Sequence, residues 1–137
     1  MCIRDSRYSE QDTTDLISIL EAEDNPIYRE NAALTLGLIG SEKAVKPFID
    51  HIGMAQNELS NSDIDDIDKK YIGKGISASL IALGYIVNRT DNSTALNYLM
   101  QFASNKSDNQ NYALHGLGFA GNEISRKYIE DLSLIHI

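Results

Sequence analysis

The stretch Leu36-Gly37-Leu38-Ile39-Gly40 decides the fold, because related stretches recur as LGYIV at 83–87 and LGFAG at 117–121. Each copy lies in an apolar segment with helical spacing. A repeat of this size indicates stacked supersecondary units, none of which can bury its hydrophobic face alone. The sequence therefore predicts an all-α fold, an α-solenoid in which about seven helices form stacked antiparallel pairs.

The terminal hexapeptides, MCIRDS at 1–6 and LSLIHI at 132–137, can be encoded by one DNA sequence read in opposite directions. They resemble a translated sequencing-library adapter, so we interpret both as scars and exclude them from fold reasoning. We therefore expect the helical repeats to occupy 7–131 and to be an internal piece of a longer protein.

Composition limits the kinds of partner. The net charge of -8 belongs to 7–131, because Arg4 and Asp5 cancel, and it argues against a nucleic-acid surface. An acidic array favours basic or apolar protein or peptide partners. No apolar run approaches the ~20 residues that span a bilayer. Cys2 is the only cysteine and lies in the first hexapeptide, which leaves the cellular compartment undetermined.

Local signals predict where the helices begin and end. Thr13 is expected to cap the first helix, Asn25 with Pro26 to open the second, and Gly40 to close it. Ser41 is expected to cap the next. Further helices are predicted over 69–87, 93–103 and 109–120, with another from Asn122 and a turn over 88–92.

Aligning the three copies reveals five equivalent positions. They are Arg29, Ala33, Leu36, Gly37 and Gly40, then Ile76, Leu80, Leu83, Gly84 and Val87, then Gln110, Leu114, Leu117, Gly118 and Gly121. Their spacing of three and four residues places them on one helix face, where we expect the glycine to let the preceding helix approach closely.

The segment 28–49 resembles the HEAT-repeat family, especially its bacterial short-unit branch related to bilin-lyase repeats. That resemblance implies an armadillo-type superhelix; its motif specifies packing and not chemistry.

Two motifs raise the possibility of a bound ligand. The aspartates in 57–68 suggest calcium, but the registers that start at Asn61 and at Asp63 both lack the glycine and the glutamate of an EF-hand loop. We therefore expect a solvated loop whose aspartates stabilise the positive N-terminus of the next helix. Residues 116–121 match G-x-G-x-x-G, yet they follow a helical segment and not a strand, which indicates packing. We therefore predict no metal and no cofactor.

Few residues in the sequence indicate an enzymatic function. His51 and His115 are the histidines outside the ends, and each is expected to be an ordinary surface or packed residue. Iron-dependent hydroxylases built on HEAT repeats use His-Glu pairs, and that dipeptide does not occur here. The sequence favours a non-catalytic scaffold or adaptor that binds protein or peptide. The alternative is a regulatory or lyase-type module of a larger enzyme whose active residues lie elsewhere.

The predicted binding surface lies on the three helices that carry the Leu-Gly copies. It is the face of these helices opposite the five aligned packing positions. In HEAT-like arrays this face would be concave, and Leu38, Tyr85 and Phe119 would form a ladder at one repeated position. The full set of predicted partner-binding residues is Asn31, Leu34, Leu38, Ile81, Tyr85, Tyr112, His115 and Phe119. Alternatively, these side chains pack on one another and belong to the core.

Overall fold

The computed structural model describes residues 9–136, with side chains as far as Leu132. Within this range all regular secondary structure is helical, as predicted, and it includes a 3-10 turn over Glu42–Ala44. The helices are α1 (Glu10–Ala22), α2 (Pro26–Ile39), α3 (Val45–Leu59), α4 (Asp66–Thr90), α5 (Ser93–Ser104), α6 (Gln110–Ala120) and α7 (Glu123–His136). The hexapeptide 1–6 lies outside the described residues, and the backbone of α7 continues into the second hexapeptide. Their interpretation as scars stays a prediction.

Side-chain caps explain most of the helix boundaries. Asn25 accepts a hydrogen bond from the Ile27 N–H at the start of α2, and Gly40 ends that helix in the left-handed region at φ 71°, both as predicted. The prediction for α1 was wrong, because Ser9 is the cap and Thr13 is buried inside the helix. Ser9 is favoured because its side chain and that of Asp12 each accept a hydrogen bond from the other's backbone N–H.

Helix α4 is longer at both ends than the sequence predicted. It begins at Asp66, after Asp65 accepts a hydrogen bond from the Asp68 N–H. Its far end lacks a glycine where α2 and α6 have one, since Val87 stands at that position. The helix therefore continues to Thr90, and Asp91 adopts the left-handed cap at φ 54°. Of the turn predicted over 88–92, only residues 91 and 92 lie outside a helix.

The helices form two layers that run along the stack. Helices α2, α4 and α6 pack side by side in the layer that we call the inner layer, and α1, α3, α5 and α7 form the outer layer. Contacts within the inner layer are much more extensive than those between neighbouring outer helices.

Small residues permit the close spacing of the inner helices. A Cβ atom added to Gly37 would lie 2.8 Å from the Cβ of Ala82, and one added to Gly84 would collide with the backbone of Gly116. The close approach expected at these glycines therefore occurs, but the neighbour is the following inner helix and not the preceding helix. Two backbones can come this close only where neither carries a large side chain.

The hydrophobic core lies between the two layers and is continuous along the stack. Its largest fully buried side chains include Leu20, Leu36, Phe48, Ile52, Ile76, Leu80, Leu83, Ile86, Leu99 and Leu117. Polar side chains add bonds between inner helices, because the Ser77 hydroxyl donates to Asn109 Oδ1 at 3.2 Å and Asn88 Nδ2 donates to the Ala120 carbonyl at 3.3 Å. Among the helices of residues 9–136, none is long and apolar enough to cross a membrane.

Candidate functional site

The candidate site is the free surface of the inner layer, which we call the ladder face and define by the eight predicted binding residues. None of the eight is buried. Ile81 and Tyr85, on the central helix α4, are half-buried, and the other six are exposed. The exposed fraction is 53% for Leu38 and 46% for Phe119, whereas core leucines such as Leu36 are at 0%. The ladder face therefore presents apolar area to solvent.

Aromatic contacts join the predicted residues of α4 and α6. The rings of Tyr85 and Phe119 have centroids 5.0 Å apart and planes tilted by 33°. On α6 itself, Tyr112 and His115 meet edge to face at 5.8 Å and 80°. Both distances lie in the range in which aromatic pairs attract each other. The structure thus places four of the eight predicted residues in two partly exposed aromatic pairs.

Small residues close to the ladder residues in sequence are used for packing. Ala78 and Ala82 of α4 and Gly116 of α6 are all buried. Ala82 and Gly116 occupy the close contacts between neighbouring inner helices. The small residues thus hold the inner layer together, and the larger ones face outward.

A buried polar cluster lies behind the ladder face, and sequence reasoning missed it. Arg29, only 3% exposed, forms a bidentate ion pair with Glu58 of α3, with N–O distances of 2.7 and 3.3 Å. Its counterparts in the other units are a buried isoleucine, Ile76, and Gln110, which donates to the Ala103 carbonyl at 2.7 Å. The sequence did contain a signal for this cluster, because Arg29 is charged at the position where the next unit has the apolar Ile76.

His51 belongs to the same buried region. It is 4% exposed, and neither ring nitrogen has a hydrogen-bond partner. A Cβ atom on Gly75 of α4 would lie 3.2 Å from its Nε2, so the ring packs directly on that helix. Burial, assisted by the nearby Arg29 guanidinium, lowers the pKa of His51 to about 4, although Glu58 acts in the opposite direction. The histidine is therefore neutral at pH 7 and is a packed residue, one of the two alternatives expected.

The motifs that suggested ligands have structural roles. Residues 116–121 form the C-terminal end of α6, where Gly121 is the left-handed cap at φ 63°, so they lack the strand and helix start that a dinucleotide site needs. In the aspartate-rich stretch, Asp65 caps α4. In the part of the chain that the structure describes, no three His, Cys, Asp or Glu side chains are grouped so that they could hold a metal ion.

Grooves lie at both ends of the stack. The first, of about 230 Å³, lies between α1 and α2 and is lined by Leu16, Ile19, Glu23, Tyr28, Asn31, Ala32 and Thr35. The second, of about 400 Å³, lies beside α6 and α7 and is lined by Ser104, Lys106, Gln110, Asn111, Leu114 and Leu132. Asn31 is a ladder residue, so the first groove is continuous with the ladder face.

No protein-family model, no curated protein and no solved structure matches this chain. The class of protein that the fold defines is therefore an all-α, repeat-like stack of helices. Its relation to the HEAT-repeat family remains a proposal that rests on the sequence motif.

Proposed function

We propose that this chain is a HEAT-like, non-catalytic scaffold segment that binds a protein or peptide on its ladder face. The observation that carries the proposal is the aromatic pair of Tyr85 and Phe119, whose rings meet across two helices while Phe119 stays 46% exposed. Aromatic side chains held rigid by neighbouring helices lose little conformational freedom on binding, and such residues dominate binding energy at protein interfaces.

The chemistry of the ladder face favours an apolar segment as its ligand. Leu34 and Leu38 of α2 are 48% and 53% exposed, so this helix also presents apolar area to solvent. The polar groups on this face, such as Asn31 and His115, can donate or accept hydrogen bonds at its borders. A helix or an extended peptide with spaced apolar side chains fits this combination. The net charge of -8 favours a basic peptide over an acidic one.

Selection from a random peptide library tests this proposal. Peptides selected on the wild-type protein are expected to lose binding when Tyr85 and Phe119 are both replaced by serine. The matched control is Ile67→Ser, because Ile67 is an exposed apolar residue, at 69%, that lies outside the ladder face. Peptides that bind the double variant as well as the wild type, or that respond only to the control, would contradict the proposal.

A further inference from the structure

Charge is distributed unequally between the two layers of the stack. Helices α1, α3, α5 and α7 carry nine acidic and three basic side chains, whereas α2, α4 and α6 carry three acidic and five basic ones. The net charge of -8 therefore does not describe the inner layer, which is slightly basic. Packed helices are about 8–10 Å apart and the Debye length is about 8 Å at physiological ionic strength, so the outer acids act weakly on a ligand of the inner layer.

The lysines of the two layers also differ in their partners. In and just before the outer helices, Lys43, Lys46 and Lys127 each lie within ion-pair distance of a carboxylate. On the inner helix α4, Lys70 and Lys74 are exposed, and neither forms an ion pair with the residues that the structure describes. The ammonium groups of the inner layer are thus left for a ligand, whereas those of the outer layer are neutralised.

Lys70 and Lys74 lie on the same side of α4 as the ladder residues Ile81 and Tyr85. With 3.6 residues per turn, all four lie within about 60° of one another around the helix axis. The Lys74 ammonium lies over the ring of Tyr71, with Nζ 5.0 Å from the ring centroid. A rise of 1.5 Å per residue places Lys74 about 10 Å from Ile81 along the axis. The apolar part of the ladder face therefore has a cationic border toward the start of α4.

Further repeats at either end of the stack would not cover this border. Helix α4 is the central inner helix, and both of its sides are already packed against α2 and α6. A continuation of the stack would add an inner helix beyond α2 or beyond α6, and the free face of α4 would stay as it is. An occupant of this face therefore lies across the inner layer and is not one of its repeats.

We propose that Lys70 and Lys74 select peptide ligands of the ladder face that carry an acidic side chain beside their apolar residues. This inference rests on the proposed function and adds the charge that the bound segment presents to α4. The aliphatic stems of both lysines cover apolar parts of the ligand while their ammonium groups reach its carboxylate. In a helical ligand that lies along α4, the acid stands about seven residues, or two turns, from the apolar side chain over Ile81. The net charge of the protein governs the approach of a ligand from solution, whereas these lysines determine what is bound in contact.

Selection from the same random peptide library, on the wild type and on Lys70→Gln/Lys74→Gln in parallel, tests this inference. Peptides selected on the wild type are expected to be enriched in Asp or Glu at a fixed distance from their apolar residues. Those selected on the variant should keep the apolar residues and lose the acid. In fluorescence anisotropy, a peptide selected on the wild type should bind the variant about fivefold to tenfold more weakly.

Lys43→Gln/Lys46→Gln is the matched control, because it removes the same charge from the outer side of the stack and should change the affinity by less than about twofold. Replacing the acid of the peptide by glutamine should weaken binding to the wild type by the same factor as Lys70→Gln/Lys74→Gln. It should weaken binding to that variant no further, since the two changes remove one interaction.

The outcomes separate this inference from the proposed function. Peptides that need Tyr85 and Phe119 but show no preference for an acid, or that respond equally to the variant and the control, would overturn the inference and leave the proposed function standing. Enrichment of no peptide, or binding that needs the lysines and not the two aromatic residues, would overturn both. Binding of a labelled single-stranded oligonucleotide through the same lysines, with no acidic peptide selected, would overturn the assignment to a peptide carboxylate.

Discussion

Replacing His51 by leucine is expected to remove most of the acid sensitivity of the fold between pH 6.5 and pH 4. In the unfolded chain the imidazole has its ordinary pKa near 6.5, and in the folded protein burial lowers that pKa to about 4. Above pH 6.5 the ring is neutral in both states, and its contribution to stability is fully present. As the pH falls below 6.5 the unfolded chain binds the proton first, so stability decreases until the folded protein also binds it near pH 4.

The size of the effect follows from the separation of the two pKa values. One proton contributes about 1.4 kcal/mol for each pH unit between them, so the wild type should lose ~2 to 3 kcal/mol by pH 4.5. This is a substantial part of the ~5 to 15 kcal/mol that stabilises a typical domain. Leucine fills a similar volume and binds no proton. At pH 7.5 the variant should be as stable as the wild type or more so, because two buried ring nitrogens without partners are removed.

Urea unfolding followed by circular dichroism, at intervals from pH 7.5 to pH 4.5, measures both quantities. Carboxylates that titrate in this range are common to the two proteins and cancel in the difference. Ile52→Leu is the control, because Ile52 is a buried neighbour of His51 on α3 that carries no ionisable group, so its replacement should leave the shape of the pH profile unchanged. Parallel pH profiles for the wild type and His51→Leu would refute the reasoning, since they would show that the buried ring does not resist protonation.

Three further tests, which use five substitutions, probe the packing described above. Glu58→Ala should reduce the free energy of unfolding by ~2 kcal/mol in urea titrations, because it leaves the buried Arg29 guanidinium without a carboxylate and with only the Asp24 carbonyl as an acceptor; a change below ~1 kcal/mol would show that the ion pair is not structural. Gly84→Ala should cost about 3 kcal/mol or more, since its Cβ meets backbone, while Gly118→Ala should raise the melting temperature slightly through helix propensity. Equal effects of the two would contradict the assigned contacts. Replacing Tyr85 and Phe119 by serine should cost on the order of 1 kcal/mol for each residue, and a loss of ~3 to 5 kcal/mol for each would identify them as core residues.

Features that depend on a few neighbouring residues were predictable from the sequence. Helix α2 starts at Asn25-Pro26 because the Asn25 side chain accepts a hydrogen bond from the first turn and the φ of Pro26 is fixed near the helical value. It ends at Gly40 because glycine tolerates a positive φ. The all-α fold follows from the threefold recurrence of the Leu-Gly motif at helical spacing. The errors also have local causes. The predicted cap of α1 was Thr13, whereas Ser9 is the cap because Asp12 follows it at the capping-box position. The predicted end of α4 was Val87, whereas the helix continues to Thr90 because no glycine stops it there.

Tertiary structure alone decided which surfaces meet. The same glycine motif gives Gly84 a backbone contact and leaves Gly118 open among the described residues, because the difference lies in the neighbouring helix and not in the motif. The pairing of Arg29 with Glu58, and the stacking of Tyr85 on Phe119, join side chains that are about 30 residues apart in sequence. Such contacts depend on how far and at what angle the helices pack. Periodicity determines which side of a helix is apolar, whereas the close approach of neighbouring inner helices determines which of those apolar residues become core and which remain on the surface.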